Sequence, residues 1–162
     1  MRQAHGMRVR IATRDDVEAL AELRSDFRIE EGTPPDAEPD FLDRFSSFFA
    51  EALAGGRWTV WVAETDAGTL VSNVWVYRIP KVPSPGAPAR DFGYVTNVYT
   101  RPSERSRGVG GRVLTAVSRW ARELDLEMLI VWPSEASVPF YRRAGFEPTV
   151  EMLELEIAGY EG

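Results

Sequence analysis

Three glycines and three arginines are concentrated in the stretch RSRGVGGR, residues 105–112. Closely spaced glycines let a backbone approach a ligand, and the apolar repeat that begins at Val113 indicates that a helix follows. The first N–H groups of a helix have no intrahelical acceptor and carry the positive end of its dipole, about half an elementary charge. The stretch could therefore bind a phosphate or pyrophosphate, with Arg105, Arg107 and Arg112 adding charge around it.

A glycine-rich turn with solvated arginines explains the same stretch equally well when it is taken alone. Two common phosphate-binding motifs are excluded. The chain contains no Gly-x-x-x-x-Gly-Lys-Ser/Thr sequence, and Gly108, Gly110 and Gly111 do not have the Gly-x-Gly-x-x-Gly spacing of a dinucleotide fold. The ligand class must therefore be decided from the rest of the chain.

Length and composition favour one globular domain. The chain has 162 residues, of which 44% are apolar and 27% charged, as in ordinary folded domains. We expect that domain over residues 7–160, with residues 1–6 as a disordered lead and Met7 as an alternative start. The chain has no Cys and one His, so disulfides are excluded and a metal site is not expected.

Charge is unevenly distributed. The net charge is −6, but residues 15–51 carry twelve acids and three arginines, whereas residues 101–112 carry four arginines and one acid. A protein that binds nucleic acid needs many cations on one surface, so this class is not expected, while a small phosphorylated ligand remains suitable. The longest apolar run has five residues, 128–132, which is too short for a membrane span. We therefore expect a soluble cytoplasmic protein.

Hydrophobic periodicity predicts the elements that position these residues. Strands are expected over 7–13, in a hairpin over 57–80, and over 92–101, 127–132 and 146–157. Helices are expected over 16–29, 40–56, 111–124 and 134–145, and the proline-rich segment 81–91 is expected to be a loop. This order predicts an α/β (α+β) fold whose mixed sheet is mostly antiparallel, with one parallel crossover through the helix after Gly111.

The motif Arg-x-x-Gly-x-Gly (Arg105, Gly108, Gly110) follows the strand YVTNVYTRP and precedes FYRRAGF by about 30 residues. In these motifs and in its order of elements, the sequence resembles the GNAT superfamily of N-acetyltransferases, and the resemblance extends over residues 7–157. It implies that acetyl-CoA is the co-substrate and that an amine of a small molecule or a peptide terminus accepts the acetyl group.

The resemblance also implies a set of residues that bind acetyl-CoA. The loop residues would hold the pyrophosphate mainly through backbone N–H groups, the end of the preceding strand would pair with the pantetheine arm, and two serines before the tyrosine would lie beside that arm. These residues are Val98, Tyr99, Thr100, Arg105, Ser106, Arg107, Gly108, Val109, Gly110, Gly111, Arg112, Ser134 and Ser137.

For catalysis, the resemblance implies that Tyr141 is the general acid. A phenol with a pKa near 10 is suited to protonate a leaving thiolate with a pKa near 8.5, although a helix tyrosine can also simply pack under a sheet. Glu31, with Glu30 beside it, is the candidate base, and both can instead be solvated acids at a helix end. Asn97 cannot act as a base but could orient a water or the amine.

Several functional questions stay open at this level. The acidic first helices could attract a cationic amine, and Trp58, Trp61 and Trp75 could line an aromatic acceptor pocket, although core packing is the commoner use of such residues. A CoA-binding sensor without turnover, or a transferase for another acyl group, fits the same motifs. The family resemblance is compatible with a homodimer.

Overall fold

A computed structural model describes residues 6–149 and 152–157. Within these ranges the chain forms five strands and four α-helices. The strands are β1 Met7–Ile11, β2 Trp58–Thr65, β3 Leu70–Ile79, β4 Phe92–Thr100 and β5 Leu129–Val131. The helices are α1 Val17–Glu30, α2 Phe41–Gly55, α3 Val109–Glu123 and α4 Val138–Arg143.

The strands form one sheet in the order β1-β2-β3-β4-β5. Neighbouring strands are antiparallel from β1 to β4, whereas β4 and β5 are parallel. A parallel pair needs a crossover connection, and α3 supplies it. The predicted mixed, mostly antiparallel sheet is therefore confirmed.

Helices pack on both faces of this sheet. Successive strand residues point to opposite faces. Trp75 of β3 contacts the rings of Phe45 and Phe49 in α2. Trp61 of β2 pairs with Val74, the neighbour of Trp75, and contacts Trp120 of α3. Accordingly, α1 and α2 cover one face and α3 covers the other. The core between the sheet and these helices includes the fully buried Leu20, Leu23, Val60, Val62, Val113 and Val117.

A buried carboxylate fixes the junction between β1 and α1. Asp16 is 8% exposed and accepts two hydrogen bonds from Arg10, at 2.7 and 2.8 Å, and one from the backbone N–H of Thr13. Arg10 also donates to Glu64 of β2 at 2.8 Å. The hydrogen bonds from Arg10 hold the pKa of Asp16 below its ordinary value. The Thr13–Asp16 spacing predicted a helix start here, and this is confirmed.

Turn signals in the sequence also correspond to observed chain reversals. Gly68 has φ +79° in the β2–β3 turn and donates to the carbonyl of Thr65, and Gly56 has φ +67° just after α2. Glycine adopts such backbone with the least strain, because it has no Cβ. The segment 81–91 forms no strand, as its prolines predicted.

The chain divides into two compact units between Trp132 and Pro133. The second contains a 3-10 turn, Glu135–Ser137, followed directly by α4 and by Gly145 with φ +92°. Pro139 is the second residue of α4, where its missing N–H costs no intrahelical bond. The expectation of one domain over residues 7–160 stays a prediction.

The strand expected over 146–157 is wrong for the described residues of that segment. Residues 146–149 and 152–157 form no strand, and Leu153, Leu155 and Ile157 are 94%, 81% and 86% exposed. Alternation of apolar residues indicates a two-faced strand but does not supply the neighbouring strand that its backbone must pair with. The strand at 127–132 is also shorter than predicted, because only Leu129–Val131 pairs with β4.

No helix among the described residues combines the length and apolar character needed to cross a bilayer.

Candidate active site

The glycine-rich stretch forms the N-terminus of α3. After a 3-10 turn, Pro102–Glu104, Ser106 has φ +58° and Gly108 has φ +77°, so the chain turns sharply into the helix. The first intrahelical bond runs from the N–H of Arg112 to the carbonyl of Gly108, at 3.0 Å. No side chain caps this helix end. The N–H groups of Val109, Gly110 and Gly111 therefore lack intrahelical acceptors, and the helix dipole makes this end attractive to an anion.

The three arginines of the stretch already have partners. Arg105 forms a double ion pair with Glu30 of α1, at 2.6 and 2.7 Å, donates to the carbonyl of Thr100 and lies over the ring of Tyr99. Arg107 pairs with Glu104, at 2.8 Å, and Arg112 donates to the carbonyl of Met7. The anion-binding capacity of this loop therefore comes mainly from its backbone.

One edge of β4 is open beside the loop. β4 pairs with β5 only at Gly93, Tyr94 and Val95. From Thr96 to Thr100, the edge that faces β5 has no strand partner among the residues the structure describes. Val98, Tyr99 and Thr100 lie in this part of the strand, directly before the loop. An extended ligand could therefore bind along this edge as an added strand does.

A bulge interrupts β4 at the start of this open edge. Asn73 pairs with Tyr99 and Trp75 pairs with Thr96, so β4 contains one residue more than β3 over this interval. Asn97 takes up the irregularity with φ +46°, and the side-chain amide of buried Asn73 donates to its carbonyl at 2.5 Å. The C=O and N–H bonds of a trans peptide point in opposite directions. Because the carbonyl of Asn97 faces Asn73 of β3, the N–H of Val98 is directed away from β3, on the side of the open edge.

The two candidate bases lie at the end of α1. The ion pair with Arg105 lowers the pKa of Glu30, which makes it a weak proton acceptor at neutral pH. Glu31 accepts a hydrogen bond from Arg28 at 2.6 Å and is largely exposed. The structure therefore puts Glu30 against the loop and Glu31 beside Arg28.

The second unit contains three of the predicted site residues, Ser134, Ser137 and Tyr141, within about two helical turns of each other. The hydroxyl of Ser137 donates to the carbonyl of Ser134 at 2.9 Å, and the two hydroxyls are 3.0 Å apart. Tyr141 in α4 is 8% exposed, and its ring contacts the rings of Phe140 and Phe146. The single histidine of the chain, His5, lies outside the described residues.

A cavity of about 430 Å³, called here the aromatic pocket, lies beside the bulge. Its walls include five aromatic side chains from α2, β2 and β3: Phe41, Phe45, Phe48, Trp58 and Trp75. Its polar lining consists of Arg24, Arg44, Thr96 and Asn97. Glu31 does not line it.

The sequence predicted neither the bulge nor which of the strand tryptophans line this pocket. An extra strand residue leaves the apolar alternation almost unchanged. The one signal was an asparagine within β-branched residues, since asparagine tolerates left-handed backbone better than most residues. Of the three strand tryptophans, Trp58 and Trp75 line the pocket as well as packing together, whereas Trp61 lies on the opposite face.

Comparison with known proteins assigns the family. The family model described as "Acetyltransferase (GNAT) family" matches residues 17–146. A predicted acetyltransferase from Clostridium acetobutylicum, solved with acetyl-CoA, is 27% identical with a TM-score of 0.76, over 93% of this chain and 96% of that one. A GCN5-related N-acetyltransferase from Ralstonia eutropha is 27% identical with a TM-score of 0.74, over 94% and 100%.

A glucosamine-6-phosphate N-acetyltransferase from Arabidopsis thaliana, at 15% identity and a TM-score of 0.72 over 94% and 99% of the two chains, shares the fold. No curated protein matches the sequence. The family match spans most of the chain, including the loop, the bulged strand and Tyr141. The protein is therefore a member of the GNAT family of acetyltransferases.

Proposed function

We propose that this protein transfers the acetyl group of acetyl-CoA to a primary amine of a small molecule or a peptide terminus. The observation that carries the proposal is the continuity of the open β4 edge with the uncapped N-terminus of α3. The edge suits the amide groups of a pantetheine arm, and the helix end suits a pyrophosphate. Acetyl-CoA supplies an acetyl group activated as a thioester.

The cofactor contacts follow from these two features. The backbone of Val98, Tyr99 and Thr100 would bind the pantetheine arm, and the backbone N–H groups from Arg105 to Arg112 would bind the pyrophosphate. Ser134 and Ser137 are proposed to lie beside the arm. Their mutual hydrogen bonds leave acceptor capacity on both hydroxyl oxygens, since each oxygen has two lone pairs.

In the transfer, the amine nitrogen forms a bond to the acyl carbon, the carbon–sulfur bond breaks, the amine loses a proton and the thiolate gains one. The N–H of Val98 is proposed to donate to the acyl oxygen, as a preorganised donor. Tyr141 is proposed to protonate the thiolate. Glu31, directly or through water, is the proposed acceptor of the amine proton, since the pKa of Glu30 is lowered by Arg105.

Calorimetric titration with acetyl-CoA and dephospho-CoA tests the cofactor site. Both ligands carry the pyrophosphate, so we expect both to bind with micromolar affinity. Gly110→Glu puts a negative charge at the helix end and is expected to weaken binding on the order of 100-fold. Thr115→Glu, which adds the same charge at an exposed position in the next turn, is the matched control and should bind normally.

If the wild type does not bind, the loop is only a turn and the proposal fails. Binding without release of free CoA in the presence of any amine would instead identify a sensor domain. Competition between acyl-CoAs tests the acyl group, because tighter binding and faster turnover with a longer acyl-CoA would replace acetyl in the proposal.

A further inference from the structure

We infer that the acceptor is a primary amine that carries an aromatic ring, and that this ring binds in the aromatic pocket. The inference rests on the proposed function and deepens it by naming the substrate class. It depends on three features of the pocket: its place in the sheet, the accessibility of its rings and the partners of its charged side chains.

The pocket extends across three strands to the bulge. Trp75 of β3 pairs with Thr96 of β4, and its ring meets that of Trp58 from β2 edge-on at 5.8 Å. These three residues line the pocket together with Asn97. A ligand whose ring lies against the tryptophans can therefore extend its amine toward the bulge, where the N–H of Val98 is proposed to hold the acyl oxygen. The neighbouring cavity of about 310 Å³, between α1 and the segment leading into α2, is lined by no residue of β4.

Phe48 gives the pocket an accessible aromatic ring. Phe45 and Trp75 are only 7% and 3% exposed, so packing within the protein covers most of their surface. Phe48 is 46% exposed, although its ring stacks on Trp75 at 6.1 Å and meets Trp58 edge-on at 6.0 Å. A bound aromatic ring would remove this apolar surface from water and add ring–ring contacts of the same kind. A volume near 430 Å³ is within the range of small-molecule sites.

The charged side chains of the lining have partners within the protein. Arg44 forms an ion pair with Glu38. Arg24 donates to the side chain of Asn97 at 3.1 Å and lies over the ring of Phe27. Recognition in the pocket therefore depends on the ring of the ligand and needs no acidic group on it.

Release of free CoA from acetyl-CoA by the full chain tests the inference with five acceptors: 2-phenylethylamine, 2-cyclohexylethylamine, butylamine, spermidine and a peptide that begins with alanine. The cyclohexyl compound has a saturated ring of similar size, and the last three acceptors have no ring near the amine. Rates are compared per unit concentration of neutral amine, because the basicities of the acceptors differ.

We expect kcat/KM for 2-phenylethylamine to exceed that for the three acceptors without a ring by about tenfold or more, and that for 2-cyclohexylethylamine by about threefold or more. Equal or faster turnover of an acceptor without a ring would overturn the inference while leaving the proposed acetyl transfer intact. Equal turnover of the cyclohexyl compound would also overturn it, since the pocket would then select apolar bulk rather than an aromatic ring. No turnover with any of the five would overturn the proposed function itself.

Variants of Phe48 separate the ring contact from the fold. Phe48→Leu keeps an apolar side chain without the ring. It is expected to lower kcat/KM for 2-phenylethylamine roughly 3- to 10-fold, mainly through KM, and to change kcat/KM for butylamine by less than about twofold. Phe48→Tyr, which keeps the ring, should lose much less. Leu42→Ala, at an exposed position of α2 outside the pocket, is the control. Equal losses for both amines in Phe48→Leu would overturn the placement of the ring in this pocket.

Discussion

Single residues and short motifs predicted part of the candidate site, and Tyr141 is one example. Its motif indicated a role in catalysis, and the structure describes a buried tyrosine whose ring lies against Phe140 and Phe146. The glycine motif likewise predicted the helix end that Gly108 begins. The partners of the arginines could not be predicted. Glu30 is 75 positions away from Arg105, and no local pattern encodes such a contact.

Replacement of Tyr141 by Phe removes only the hydroxyl and keeps the ring contacts. If the tyrosine is the general acid, we expect kcat to fall by roughly 10²- to 10⁴-fold while the Kd for acetyl-CoA changes little. Steady-state kinetics and calorimetry measure the two quantities. Tyr94→Phe, in β4 against Trp132, is the matched control. An unchanged kcat in Tyr141→Phe would exclude the assignment.

At the scale of elements, β4 is central to the candidate site because its two edges differ. One edge pairs with β3 over most of the strand, and the other is open beyond Val95. Periodicity predicted the strand and its end, since Pro102 stops it. The bulge, and the lack of a strand in the described residues of the segment 146–157, escaped prediction for one reason. Strand pairing depends on a distant segment of chain, whereas alternation reports only which face is apolar.

The bulge is held by one buried side chain, which can be removed. Asn73→Ala would free the carbonyl of Asn97 and loosen the direction of the Val98 N–H. We expect kcat to fall on the order of 10- to 100-fold, since a shift of about 1 Å in a catalytic donor has effects of that size. The Kd for acetyl-CoA should change less than fivefold.

Ser72→Ala provides the comparison for this prediction. Ser72 is equally buried in β3 and donates to the carbonyl of Tyr99, so it also holds β4, but beyond the bulge. Similar losses of kcat in both variants would show that general loosening of β4, rather than the bulge, limits activity. Circular dichroism and thermal unfolding of both variants establish that they are folded.

At the scale of the whole molecule, one ion-pair network joins three separate parts of the chain. Arg10 of β1 bonds to Asp16 before α1 and to Glu64 of β2. Because the folded-state pKa of Asp16 lies below its ordinary value of 3.8, the stabilisation is fully present above that value. It is lost as the pH falls through the lowered pKa.

Asp16→Asn should therefore lower the free energy of unfolding at pH 7 by about 1–3 kcal/mol. The difference from the wild type should shrink as the pH is lowered well below 4, where the wild-type carboxyl is also becoming neutral. Urea unfolding at pH 7 and pH 3 measures both effects. Asp15→Asn, at an exposed neighbouring position, should match the wild type at both pH values. A pH-independent difference would exclude the linkage.

The donors at the α3 helix end are backbone N–H groups, so they place few demands on which side chains stand there. Every residue except proline has a backbone N–H, so substitutions there that add no negative charge are expected to be tolerated wherever the left-handed turn at Gly108 and the helix start survive. The aromatic pocket depends on side chains, and some of these, such as Phe48, are half-exposed and can change at little cost in folding. Among descendants of this chain, we expect the donor to be inherited with the fold, while the acceptor diverges through a few substitutions in α2.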